Sequence, residues 1–179
     1  ISSGNNIPEV VMELKVDGFS INLFYEEGSL KYAATRGDGF EGEDVTANVK
    51  MISSIPQKIS HKSPVEIRGE IFLPISEFEK INKARAEQGL KLFVNPRNAA
   101  AGFIKLKDSQ LVKERNLDSI IYSIGYSENL DISNQNDLLL FLKEQGFSIS
   151  PHTRIAENFE QIEKFCNEWE KDRSKLSYD

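Results

Sequence analysis

Apolar residues in the first part of the chain recur with a period of two. Val10, Met12, Leu14 and Val16 fall on one face of an extended segment, and Val11, Glu13 and Lys15 on the other. Glu9–Val16 is therefore predicted as a strand. Ser20–Glu26 and Ser29–Thr35 alternate in the same way and are joined by Glu26-Glu27-Gly28, which predicts a hairpin. In Val65–Leu73, Val65, Ile67, Ile71 and Leu73 share one face, and Glu66, Arg68, Glu70 and Phe72 the other. Ser119–Tyr126 is a further predicted strand. The spacing becomes helical over Ser76–Gln88, Asn136–Gln145 and Asn158–Arg173, and a short helix is expected over Asp44–Met51, with Pro56 barring its extension. Ser76 and Glu79 have the spacing of a capping box, and Gly89 stands at the far end of that helix. Phe159, Ile162, Phe165, Cys166 and Trp169 make one apolar stripe on the last helix, read as core packing. Strands joined by hairpins and loops dominate the first half. The fold class is α+β, with mainly antiparallel sheets and flanking helices.

Composition narrows the picture. With 179 residues, 39% of them hydrophobic, the chain suits a single unit spanning residues 1–179 with a real core. No apolar run approaches the roughly 20 residues needed to span a bilayer, so no membrane association is expected. Cys166 is the sole cysteine, which excludes an internal disulfide. No signal-peptide pattern precedes the first strand, and the cytoplasm is the expected location. The formal net charge is −6. A protein that grips DNA through phosphates needs basic surface. If this chain acts on DNA, most of the grip must come from elsewhere or from a local basic stripe.

Two strands carry charged faces. One offers Glu13 and Lys15, with Asp17 just beyond; the other offers Glu66, Arg68 and Glu70. A solvated outer face is the plain reading of either strand alone. Lys15-Val-Asp-Gly18 differs because it ends a strand at a glycine turn, which presents an ammonium group at a strand end. A lysine becomes a nucleophile when burial or cationic neighbours lower its pKa, since only the neutral amine attacks. Arg36 and Arg97 are candidate cationic neighbours, whereas Arg68 is read as half of a structural ion pair with a nearby carboxylate.

Lys15-Val-Asp-Gly18 alone is a weak signal, but its company is specific. The chain resembles the NAD-dependent DNA ligases of bacteria through Glu13-Leu-Lys-Val-Asp-Gly18, Ala34-Thr-Arg-Gly-Asp-Gly39, Gly42-Glu-Asp-Val-Thr-Ala-Asn48, Glu66-Ile-Arg-Gly-Glu70 and Asn95-Pro-Arg-Asn-Ala-Ala-Ala-Gly102, in matching order and spacing. The resemblance covers the chain from about Glu9 onward. It implies the adenylation domain, with a nucleotidyltransferase (ATP-grasp-like) fold that is incomplete at the C-terminus.

It further implies roles. Lys15 resembles the lysine that attacks the α-phosphate of NAD, expelling nicotinamide mononucleotide and leaving a lysine–AMP phosphoramide. Glu13 resembles the residue beside the adenine, and Tyr122, in Ile121-Tyr-Ser-Ile-Gly125, the aromatic that stacks on it. A lone tyrosine in an apolar strand is otherwise read as core. Arg36 resembles the arginine on the ribose and phosphate side, Glu70 the glutamate at the ribose hydroxyls, and Arg97 an arginine needed around the phosphates and the nick. Asp17 and Gly18 belong to the signature with no role assigned. Cofactors implied are NAD and a divalent metal, Mg2+, with no metal ligand assigned within this chain; zinc is expected only in other parts of a full-length protein. The implied partner is nicked double-stranded DNA, engaged by a monomeric full-length enzyme.

The chain also departs from the family. Where members continue with Ser-Leu-Arg after Gly102, this chain has Phe103-Ile-Lys105. Lys105 keeps the charge but loses the planar bidentate fork, so it is expected to hold a phosphate with less orientation. Family members extend beyond Leu176-Ser-Tyr-Asp179 into strands bearing two further phosphate-binding lysines, and ahead of Ile1 into a segment for the nicotinamide mononucleotide half. The isolated chain is therefore expected to be weakly active or inactive.

Rival readings remain in view. Gly37-Asp-Gly-Phe-Glu-Gly42 spells the dinucleotide fingerprint of Rossmann-type NAD oxidoreductases, with Glu66 roughly 25 residues on as a candidate ribose-binding acid. Asp38, Glu41, Glu43 and Asp44 would crowd a pyrophosphate with negative charge, and the preceding strand is hairpin-paired, so the glycines are read as a tight turn with positive φ. A non-catalytic fragment that binds nucleotide or partner domains is the second alternative. ATP-dependent ligases and RNA-capping enzymes share only the lysine signature.

Overall fold

The computed structural model describes residues 6–37 and 42–179. The elements in chain order are β1 (Asn6–Met12), β2 (Phe19–Glu26), β3 (Ser29–Thr35), α1 (Thr46–Val49), β4 (Val65–Phe72), α2 (Ile75–Glu87), α3 (Pro96–Phe103), α4 (Ser109–Lys113), β5 (Asp118–Ser127), α5 (Gln135–Glu144), β6 (Arg154–Asn158) and α6 (Phe159–Asp172). The strands form a four-stranded sheet in the order β3-β2-β4-β5 and a two-stranded sheet of β1 and β6. Every strand pairing among the described residues is antiparallel, as an α+β chain built from hairpins requires. The glycine-rich segment therefore follows an edge strand of an antiparallel hairpin, which removes the parallel unit that a dinucleotide fingerprint needs.

The hairpin of β2 and β3 turns at Glu27 and Gly28, both with positive φ (53° and 71°), the backbone a tight two-residue connection demands. Gly37 also has positive φ, at 55°, whereas Gly39 and the acidic Asp38 and Glu41 lie outside the described residues. Alternation on the larger sheet sends Ile21, Leu23 and Tyr25 of β2 and Val65, Ile67 and Ile71 of β4 into one core. Val49, Ala99, Ala100, Phe103, Leu139 and Leu142 cover it from α1, α3 and α5. Burying each of the larger side chains among them (Val, Leu, Ile, Phe) contributes on the order of 1.5–3 kcal/mol. At one end of the opposite face of the sheet, the polar Ser20 and Glu70 sit side by side in register with the apolar Ile120.

Several expectations are corrected. The strand predicted over Glu9–Val16 stops at Met12, and Glu13–Asp17 belongs to no strand. The cause is non-local: Met12 pairs with Arg154, the first residue of the five-residue β6, and the partner strand ends there after the Pro151 turn. The single apolar face fails with it, since Val10 is 37% exposed and Val11 packs into the main core. The capping box of Ser76 and Glu79 is not formed. Helix α2 starts after Pro74 with no side-chain cap, and the Ile75 amide donates instead to the Ser177 carbonyl (2.9 Å). In α6, Phe165, Ile162 and Trp169 pack on Met12 and Ala156, but Phe159 and Cys166 are exposed, so the apolar stripe is narrower than its spacing predicted. Helices α3 and α4 and strand β6 were not anticipated.

Candidate active site

The Glu13–Gly18 segment lies across the polar end of the large sheet. Gly18 makes that possible. A Cβ there would come within 2.5 Å of the Ile71 carbonyl oxygen, so only glycine lets the segment rest directly on the β4 backbone. Val16 packs with Phe72, Ile120 and Tyr178. The Asp17 amide donates to the Asp179 carbonyl at 2.7 Å. Lys15, between Leu14 and Val16, is thereby held with its side chain on the exposed side.

Two hollows meet at Lys15. The first, about 500 Å³, is lined by Glu13, Lys15, Val16, Glu70, Ile120 and Tyr122, with Leu14, Ser123 and Gln135 completing the wall. The second, about 370 Å³, is lined by Lys15, Arg36, Arg97, Lys105 and Glu70 together with Val16, Phe19, Ser20, Thr35 and Gly37. Lys15, Val16 and Glu70 belong to both. The first is a slot with an aromatic and aliphatic wall; the second is a cationic basin.

Local geometry explains how each side chain arrives there. Tyr122 is the extra residue where the β4–β5 register slips between Arg68↔Ser123 and Gly69↔Ile121, and such a bulge re-aims a side chain. Its hydroxyl donates to Glu70 Oε1 at 3.5 Å. Burial pushes the Glu70 carboxyl up from its ordinary pKa, against the Ser20 hydrogen bond, the charges of Lys15 and Arg97, and the Tyr122 hydroxyl, which pull it down. Arg97 stands on the first turn of α3, behind the Asn95 cap, whose side chain accepts from the Asn98 amide, and Pro96 at the first helical position. Its Nη1 donates to Asp17 Oδ1 at 2.5 Å. Asp17 of the signature is thus an anchor for Arg97. Lys105, just past α3, pairs with Glu43 and lies 5.8 Å from the Phe19 ring centroid. Arg36, at the end of β3, is exposed.

Glu13 is held from another direction. Gln135 Nε2 donates to Glu13 Oε2 at 2.8 Å and to the Tyr122 carbonyl at 2.9 Å, while Glu13 Oε1 is buried with no partner. Gln135 is a site residue that sequence reading missed. The available signal was Asn134, whose side chain caps α5 by accepting from the Asp137 amide and so fixes the first helical residue beside the slot. Arg68 does not reach the site. It pairs with Glu66 (Nε 2.9 Å, Nη2 2.8 Å) further along the sheet.

The cationic basin suits a phosphate-bearing ligand, and the slot, with one unsatisfied carboxylate oxygen, suits a flat ring carrying an N–H donor. Among the described residues no three acidic, histidine or cysteine side chains cluster as metal ligands, so these residues do not by themselves make a metal cage.

Comparison with known proteins agrees with the motifs. Residues 2–179 match the family described as NAD-dependent DNA ligase adenylation domain. The chain is 46% identical over 170 residues to a DNA ligase of Thermotoga petrophila, covering 95% of this chain and 25% of that protein. It is 47% identical over 175 residues to a DNA ligase of Thermosipho africanus, covering 98% and 26%. A DNA ligase of Natranaerobius thermophilus is 43% identical over 172 residues, covering 96% and 26%. The chain spans about a quarter of the length of these relatives.

Proposed function

The chain belongs to the NAD-dependent DNA ligase adenylation domain family, and from that premise we propose that it performs the nucleotide-handling step of DNA sealing, with Lys15 as the nucleophile. The neutral Lys15 amine attacks the α-phosphorus of NAD. A P–N bond forms, the P–O bond to the nicotinamide mononucleotide half breaks, the mononucleotide leaves, and the amine gives its proton to solvent. The product is a lysine–AMP phosphoramide. In a full-length protein the AMP then passes to the 5′-phosphate of nicked duplex DNA, and the nick is sealed with release of AMP.

The observation that carries this reading is the meeting of the two hollows at Lys15. An adenine in the slot would stack on Tyr122 beside Glu13, its ribose hydroxyls near Glu70. The phosphates would then lie in the basin against Arg36, Arg97 and Lys105, within reach of the amine. Such chemistry needs in-line positioning and charge neutralisation more than covalent work by other side chains. Magnesium bound to the substrate phosphates would add neutralising charge. Asp17 contributes by holding Arg97 toward the basin. The 179-residue chain alone is proposed to adenylate itself weakly.

The test is a pair of substitutions in a full-length protein carrying this domain. Lys15→Ala and Lys15→Arg should both abolish AMP transfer from NAD, the arginine because guanidinium stays protonated. Sealing of nicked DNA that already bears AMP should be reduced far less. AMP transfer persisting in either variant would overturn the assignment.

A further inference from the structure

Gln135 makes two hydrogen bonds from one nitrogen, to Glu13 Oε2 (2.8 Å) and to the Tyr122 carbonyl (2.9 Å). Both acceptors lack a proton, so only the amide NH2 can face them; the flipped carboxamide would set oxygen against two oxygens. Its orientation is therefore fixed by chemistry. Its position is fixed as well, because Asn134 caps α5 and Gln135 is the first residue of that helix. One side chain thus ties together three parts of the slot: the Glu13 segment, the bulge carrying Tyr122, and α5. The consequence falls on the other Glu13 oxygen. With Oε2 held, Oε1 is left buried and without a partner in a wall of the slot that both residues line. A buried carboxylate oxygen left unmatched is destabilising until a donor arrives.

We propose that Gln135 is a positioning residue that sets the base selectivity of the slot, clamping Glu13 through Oε2 so that Oε1 accepts from the exocyclic amine of a 6-aminopurine and repels a 6-oxopurine. The proposal rests on the reading of the slot as the adenine site. A 6-oxo group would bring an acceptor against an acceptor, and a site built to receive a hydrogen bond rejects the analogue that cannot supply it by large factors. Without the clamp the carboxylate can rotate, and the penalty against the wrong base is relieved along with the bond to the right one.

The experiment uses a full-length protein carrying this domain and compares AMP-transfer with hypoxanthine-nucleotide transfer from NAD and its 6-oxo analogue, nicotinamide hypoxanthine dinucleotide. Gln135→Met keeps length and loses the donors. It should raise KM for NAD on the order of 10-fold with a smaller change in kcat, and should cut the NAD-to-analogue ratio of kcat/KM on the order of 10-fold. Gln135→Asn, which keeps the amide but falls one methylene short, should move the ratio in the same direction. It serves as the reading if the methionine variant fails to fold. Glu13→Gln separates the two layers of the argument. If it leaves the ratio unchanged, Glu13 does not read the base and the slot assignment fails. If it collapses the ratio while the Gln135 variants keep it, the slot assignment stands and the clamp is refuted. A purely structural role for Gln135 would lower Tm and leave the ratio intact.

Discussion

Glu70 shows how a single residue joins binding to stability. Burial raises its carboxyl pKa despite four groups that lower it, so in the folded protein its charged form is disfavoured relative to the unfolded chain. The sign follows from linkage. A carboxyl with a raised folded pKa binds its proton more tightly when folded, so it contributes most at low pH and its contribution is lost as pH rises through the unfolded and then the folded pKa. Glu70→Gln should therefore raise Tm at neutral pH in the absence of nucleotide, with the gain vanishing as pH falls into the carboxylate range. Thermal melts at the two pH values check this, and a loss of stability at neutral pH would contradict it. The same variant should weaken AMP transfer, because the charge that destabilises the empty site is the one assigned to the ribose hydroxyls. Residues such as Lys15, Glu70 and Arg97 were legible in the sequence because they sit within compact motifs. Gln135 was not, because its importance lies in tertiary hydrogen bonds, one to Glu13 far back in the chain and one to the Tyr122 carbonyl of the neighbouring strand.

Elements bring these residues together through contacts that motifs do not display. Asn48 is 8% exposed and donates from Nδ2 to the carbonyls of Ile104 (2.6 Å) and Leu106 (2.8 Å). It thereby ties α1 to the turn that presents Lys105. The Gly42–Asn48 motif thus has a structural purpose at its last residue. Asn48→Ala removes two donors and strands two carbonyls, which should cost about 2–3 kcal/mol, measured by denaturant unfolding. The same change should raise KM for NAD through the loosened Lys105 turn, and a fully stable variant would contradict the role. Local signals explain what was readable at this scale. The β2–β3 hairpin follows from alternation and the Glu27-Gly28 turn, and β4 from its apolar periodicity. The end of β1 was misread because it is set by the brevity of β6, about 140 residues away in the chain. The cap of α2 was misread, though its start was placed to within one residue, because its first amide is satisfied by Ser177 rather than by a nearby side chain.

The whole molecule is acidic, with a formal net charge of −6, yet Lys15, Arg36, Arg97 and Lys105 converge on one basin. Local convergence, not overall charge, is what a nucleotide phosphate requires. That basin alone is proposed to be insufficient for fast chemistry. The chain spans about a quarter of the length of its relatives, and removing even one preorganised charge partner commonly costs roughly 10²-fold in rate. Incubated with labelled NAD and magnesium, the 179-residue chain should therefore acquire AMP far more slowly than a full-length protein; a comparable rate would show that this chain holds everything the first step needs. The central claim is the identity of the adenylated residue. A full-length protein carrying this domain should be incubated with NAD, digested without acid treatment, and mapped by tandem mass spectrometry. The account predicts a single AMP adduct, on the Lys15 amine, lost on acid exposure as a phosphoramide should be; AMP on any other residue, or no covalent adduct, would contradict it.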